Sequence, residues 1–138
     1  MDQIPDFLQI KNLEATVKSI TGFINYEVFE NFQKSGVVLG LSGGIDSTVT
    51  CGLCVKSMNP EKILGLIMPE KESDPQSQET AENVGKEFNI ETKVVDITNI
   101  LESFGVYEKK ENIVKEKFSD FDSECKYRVV VQIGRAHV

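Results

Sequence analysis

Residues 36–48, GVVLGLSGGIDST, constrain the fold more than any other stretch of this chain. A short β-branched run over 36–41 passes directly into Ser42-Gly43-Gly44, and a helix-like run opens at residue 47. A continuous apolar run of this length, bounded by glycine and serine, reads as a strand covered on both faces, the habit of parallel sheets. Two adjacent glycines let the backbone turn tightly and come close to a ligand.

The same punctuation recurs downstream. KILGLIM, 62–68, predicts a second buried strand, ended by Pro69, and ETKVVDI, 91–97, a third. A helix over 47–58 is stopped by Asn59-Pro60. Another starts at Pro75, with Ser73 or Asp74 as its cap, and runs to about Phe88. A short helix follows from Ile97 to Phe104. Strands alternating with helices at this spacing predict an α/β fold with right-handed crossovers and a parallel sheet. Upstream, Ile4, Phe7, Leu8, Leu13, Val17, Ile20, Ile24, Val28 and Phe32 fall at spacings of mostly three or four. They predict one long amphipathic helix, or two with a break near Thr21-Gly22. Residues 107–128 are charged, with Phe118, Phe121 and Tyr127 scattered among them, and fit either a surface excursion or a helix with a loop.

A length of 138 residues fits one domain, and a net charge of −7 argues against a nucleic-acid surface, which needs clustered Lys and Arg. No apolar run approaches the ~20 residues of a membrane span. Met1-Asp2-Gln3 opens nothing like a signal peptide, and three cysteines without one read as reduced thiols. The expectation is a cytoplasmic protein with no membrane association.

The last six residues, IGRAHV, are what ATCGGAAGAGCACACGTC encodes, the start of a common sequencing-library adapter without its leading AG. Those two bases would complete the CAG codon of Gln132. Residues 132–138 are therefore expected to be a non-native tail, with the natural continuation lost after Val131. Arg135 and His137, the only histidine, then carry no functional weight.

In an open parallel sheet, ligands bind outside the carboxyl ends of the strands, where residues 42–47 fall. The N–H groups of Gly43, Gly44 and the opening helix can form an anion nest, and Ser42 and Ser47 add hydroxyl donors. Asp46 is a poor phosphate neighbour unless a cation such as Mg²⁺ lies between them. No Gly-Lys-Ser/Thr ends the loop and no G-x-G-x-x-G is present, so neither a Walker A loop nor a dinucleotide fingerprint fits. A pyrophosphate-binding loop without lysine remains.

SGGIDS after a buried strand resembles the loop of the N-type ATP pyrophosphatases, which cleave ATP between its α and β phosphates. Residues 64–101 narrow the resemblance to the ammonia-dependent NAD synthetases, especially the archaeal type. The shared features are Met68-Pro69 closing the second strand, the loop Ser73-Asp74-Pro75, and Val95-Asp96-Ile97-Thr98 ending the third. The resemblance implies a Rossmann-like, adenine nucleotide alpha hydrolase-like fold. The N-terminal part of the ATP-pyrophosphatase domain would span 1–131, truncated after about three strands. It assigns Gly40, Leu41, Ser42, Gly43, Gly44, Ile45, Asp46 and Ser47 to ATP, Asp46 to magnesium, and the Met68 backbone to adenine. No catalytic side chain is assigned in this part; further ATP, magnesium and deamido-NAD contacts, a Thr and a Glu among them, belong to the family's second half. The implied reaction joins ATP, deamido-NAD and ammonia through an adenylate, releasing AMP and pyrophosphate, in a homodimer. Only 41 residues precede Ser42, too few for an amidase domain, so ammonia is expected free or from a separate subunit.

Rival readings within the loop group are a tRNA-thiolating enzyme, disfavoured by the acidic balance, and a GMP synthetase. Outside it stands a non-catalytic ATP-binding module resembling universal-stress-type proteins, which place their glycine motif late in the chain. Cys51 and Cys54 read as helix packing rather than a redox pair, and Cys125 as a spare thiol. Met58 reads as packing. Asp96 divides evenly between a ligand role and a helix cap.

Overall fold

The computed structural model describes residues 9–117. Ile4, Phe7 and Leu8, the segment from Phe118 onward and the expected tail at 132–138 lie outside the described residues.

α1 (Leu13–Asn25) is capped by Asn12, whose side chain accepts the Ala15 N–H at 3.0 Å. It passes Gly22 without a break and continues into a single π-helical turn, Tyr26–Asn31. Then come β1 (Val37–Gly40), α2 (Ile45–Ser57), β2 (Ile63–Ile67), α3 (Pro75–Glu87) and β3 (Glu91–Val94). The strands form one parallel sheet in the order β1-β2-β3, with Val37 opposite Ile63 and Gly65 opposite Thr92. Two right-handed crossovers running the same way along a sheet place both helices on one face.

That face holds the core. Cys51 and Cys54 of α2, Ala81 of α3, and Ile63 and Ile67 of β2 are buried together with Leu41, Met58 and Ile90. Small residues on the helices let them sit close to the sheet. At Gly85 of α3 an added Cβ would run into the Thr92 methyl of β3. Burying a side chain such as Ile63, 2% exposed, contributes about 1.5–3 kcal/mol. Ile24, Val28 and Phe29 pack against the same cluster.

β2 is central and alternates buried with half-buried residues. β1 departs from expectation. It is an edge strand of the described sheet, and Val38, on the face opposite the helices, is 65% exposed. An apolar run signals that both faces suit burial; it does not supply the element that covers them.

A second compact unit begins at Asn99. The short helix α4 (Thr98–Ser103) ends just before Gly105, which turns at φ +65°, and α5 (Val106–Lys117) follows. The charged stretch is thus helical at least to Lys117, with Glu111 and Lys115 paired at 3.3 Å across one turn. Such an exposed pair is worth a few tenths of a kcal/mol, about 0.3–0.5. No described helix is long and apolar enough to cross a membrane.

Candidate functional site

Beyond Gly40 the chain keeps pairing for one residue: the Leu41 N–H donates to the Leu66 carbonyl at 2.9 Å. It then leaves the sheet through Ser42, Gly43 and Gly44. α2 starts earlier than expected, at Ile45, so Ile45, Asp46 and Ser47 form its first turn. The cap is Gly44, extended at φ −84° and ψ 164°, and it brings no side chain to the helix end. The N–H groups of Ile45, Asp46 and Ser47 therefore have no intrahelical acceptor and point toward the loop.

Two hydroxyls set the loop's shape. The Ser47 hydroxyl donates to the Gly44 carbonyl at 3.0 Å and accepts the Ser42 N–H at 3.3 Å. Its one proton is then spent, so the 3.0 Å contact between the two hydroxyls is donated by Ser42. Ser42 in turn accepts the Gly44 N–H at 3.3 Å. Both serine protons are thus used inside the loop. The expected hydroxyl donation to a phosphate would require these bonds to break, whereas the backbone N–H groups of Ile45, Asp46 and Ser47 stand ready.

Gly43 has φ +75°, and a Cβ there would lie 2.5 Å from the Ser77 carbonyl oxygen. The loop rests directly on the first turns of α3, so only glycine satisfies both the backbone conformation and the contact.

The Asp46 carboxylate is exposed and takes part in no hydrogen bond or ion pair among the described residues. It is a hard oxygen donor beside an anion nest, which fits one protein ligand of a Mg²⁺ whose other ligands are phosphate oxygens and water. Among the described residues no cluster of three or more His, Cys, Asp or Glu is placed to hold a metal alone.

Beside the loop lies a cavity of about 500 Å³, lined among others by Ser42, Met68, Asp74, Gln78 and Asp96. The carboxyl ends of all three strands reach it. Met68 is 47% exposed, and no hydrogen bond to its carbonyl is found among the described residues, because β1 has left the sheet beside it. Asp74 both lines the cavity and caps α3, accepting the Gln76 N–H at 2.9 Å. Gln78, one turn further along α3, was not singled out by sequence. Its spacing of four from a capping Asp is the signal that places both on one side of the helix.

Asp96 is likewise both cap and cavity wall. The Thr98 hydroxyl beside it and the Thr98 N–H, which donates at 2.7 Å, hold its carboxyl below the ordinary range. The hydroxyl lacks full hydrogen-bond geometry, so the N–H is the bond that counts. Cys51 and Cys54 face the core, and burial pushes both thiols up, Cys51 further through its neighbour. They stay neutral at pH 7 and belong to packing.

The family model for NAD synthase matches residues 16–137. The chain belongs to the NAD synthase family. It is 48% identical over 95 residues to the NH(3)-dependent NAD(+) synthetase of Methanocaldococcus jannaschii, covering 69% of this chain and 36% of that protein. It is 32% identical over 118 residues to the enzyme of the same name from Mesorhizobium japonicum, covering 86% and 37%. The chain thus spans about a third of the length of these curated relatives. Among solved structures it resembles the NH3-dependent NAD synthetase of Campylobacter jejuni, in complex with nitrate, with a TM-score of 0.63 and 34% identity over 69% of this chain and 41% of that one. It also resembles the NMN synthetase of Francisella tularensis, with a TM-score of 0.64 and 27% identity over 73% and 41%. The fold is the adenine nucleotide alpha hydrolase-like α/β fold.

Proposed function

We propose that this chain is the ATP-binding part of an ammonia-dependent NAD synthetase, a ligase that forms a carbon–nitrogen bond. The observation that carries this is the strand-to-helix nest of Gly43–Ser47, with no side-chain cap and with Asp46, unpaired among the described residues, in its first turn, in a chain of the NAD synthase family.

A carboxylate does not react with ammonia at pH 7 because its leaving group would be oxide. Attack by the nicotinate carboxylate of deamido-NAD on the α-phosphate of ATP gives a mixed anhydride and releases pyrophosphate. Ammonia then displaces AMP. The protein's part is positioning and charge stabilisation. The N–H groups of Gly43, Ile45, Asp46 and Ser47 hold the β and γ phosphates, where charge accumulates as the bond to the α-phosphate breaks. Asp46 holds the magnesium ion, which supplies neutralisation of phosphate charge when bound. Gly40 and Leu41 anchor the loop to the sheet, and the Met68 carbonyl accepts from the adenine amino group.

The same reading makes the protein a cytoplasmic homodimer. On this reading residues 1–131 are the N-terminal part of its synthetase domain, with a foreign tail at 132–138; sequencing the source DNA past the Val131 codon tests that boundary. Activity is tested by supplying ATP, Mg²⁺, deamido-NAD and ammonia to the whole protein that contains this chain. NAD, AMP and pyrophosphate are expected in equal amounts. ATP binding without pyrophosphate release would favour a non-catalytic module instead. The NMN synthetase among the structural neighbours favours a second reading, in which the acceptor is the mononucleotide acid that yields NMN. Competition between the two acceptors in one reaction separates them.

A further inference from the structure

We propose that Asp96 determines base specificity, its carboxylate accepting a hydrogen from the purine 6-amino group and so selecting adenine over a 6-oxo base. This rests on the ATP-binding reading above.

The direction in which a nucleotide lies follows from the sheet. Phosphates held by the loop after β1 sit at one side of the cavity, and the order β1-β2-β3 puts the end of β2 next and the end of β3 farthest away. A cavity of about 500 Å³ reaching from Ser42 to Asp96 has room for a nucleoside. Ribose and base then extend over Met68 toward Asp96.

Asp96 is held firmly there. On either side of it the Val95 N–H donates to the Ile67 carbonyl at 2.8 Å and the Ile97 N–H to the Pro69 carbonyl at 3.0 Å. Its Oδ1 accepts the Thr98 N–H. An ionised carboxylate has about four acceptor sites and no donor, so the cap leaves most of them unused. Of the other carboxylates on the wall, Asp74 caps α3, and the Glu70 N–H closes a turn onto the Ser73 hydroxyl. Both belong to the 70–74 segment, not to the far strand end.

The chemistry at that end is acceptor-only. A 6-amino group offers two hydrogens, one for the Met68 carbonyl and one for Asp96. A 6-oxo group offers lone pairs and meets like charge.

The test measures binding of ATP and of inosine triphosphate to the whole protein that contains this chain, with Mg²⁺, by calorimetry. Wild type is expected to prefer ATP. Asp96→Asn keeps an oxygen for the Thr98 cap but presents an amide that can donate to a 6-oxo group. The ATP-to-ITP affinity ratio is expected to fall about tenfold, the scale of one hydrogen bond to a charged group. Asp96→Ser, which also caps but does not reach the base, should lower the ratio as well and serves if the Asn variant folds poorly. A lower melting temperature with an unchanged ratio in both variants would mean that Asp96 only caps α4, and would overturn the inference. Failure of wild type to bind either nucleotide overturns the ATP reading itself, and is seen before any variant is made.

Discussion

The two sides of the cavity are built on different principles. The side proposed for the phosphates is backbone: one turn of α2, two glycines and two serines within residues 42–47, tied by hydrogen bonds no longer than 3.3 Å. The side proposed for the nucleoside is made of residues from three separated places, Met68, Asp74 with Gln78, and Asp96. A phosphate is recognised by any dense set of N–H groups, so a short local motif suffices. A base edge needs particular donors and acceptors at particular places, which only the assembled sheet can bring together. The first side should be intolerant of substitution and the second adjustable.

The sharpest test of that contrast is Gly43→Ala. The new Cβ would lie 2.5 Å from a backbone oxygen of α3, which cannot rotate aside, at a φ of +75°. Local strain of about 1–3 kcal/mol is expected, and the loop must move to relieve it. ATP affinity should fall by up to about a hundredfold, which is that strain converted at about 1.4 kcal/mol per factor of ten. Binding within threefold of wild type would show that the nest tolerates movement, and the contrast would fail.

Next in size is Asp46→Asn. The carboxylate makes no hydrogen bond or ion pair among the described residues, so the fold should be unaffected and its melting temperature unchanged. ATP affinity in Mg²⁺ should drop about tenfold, the scale of one charged contact, while affinity in EDTA stays as in wild type. An equal loss with and without Mg²⁺ would remove the ion from the account of Asp46.

Ser47→Ala removes a hub: the Ser42 N–H and hydroxyl lose their partner, while the Gly44 carbonyl keeps the Thr48 N–H and hydroxyl. A loss of about 1–2 kcal/mol in denaturant unfolding is expected, because these groups can turn partly to water. ATP affinity should fall only a few-fold, since the N–H groups of the first turn remain. A loss as deep as that of Gly43→Ala would mean that the hydroxyl contacts phosphate directly.

The contrast also explains what could be read from the residues alone. Strand, loop, helix and sheet type follow from the apolar runs and the Gly and Pro punctuation around them. The start of α2 does not, because its cap is Gly44, which reads as loop, so Ile45 and Asp46 read as part of the turn. β3 ends at Val94 rather than at Ile97. Val95 and Ile97 still bond to β2, but Asp96 between them turns to the Thr98 cap. The nucleoside wall has no local pattern: Gln78 and Asp96 meet the same cavity from different elements, and only the parallel register makes them neighbours. Asp96 could be given two roles from sequence, and in the structure the cap and the cavity are met by one side chain.

The smallest effect expected is a pH dependence of that cap. The Thr98 hydroxyl beside Asp96 and the hydrogen bond from the Thr98 N–H hold its carboxyl below the ordinary value. A carboxyl depressed on folding binds fewer protons folded than unfolded between the two values, so its contribution is complete above the unfolded pKa, about 3.9. It is lost as pH falls through the lower folded value. The comparison is wild type against Asp96→Ala, followed by melting temperature. The gap between them should be constant from pH 7 to about pH 5, narrow below about pH 4, and close once both lack the charge. The side chain is exposed, so the whole gap should be small. A gap that grows on acidification would mean that the protonated form is the better cap, and that the Thr98 N–H is not what Asp96 holds.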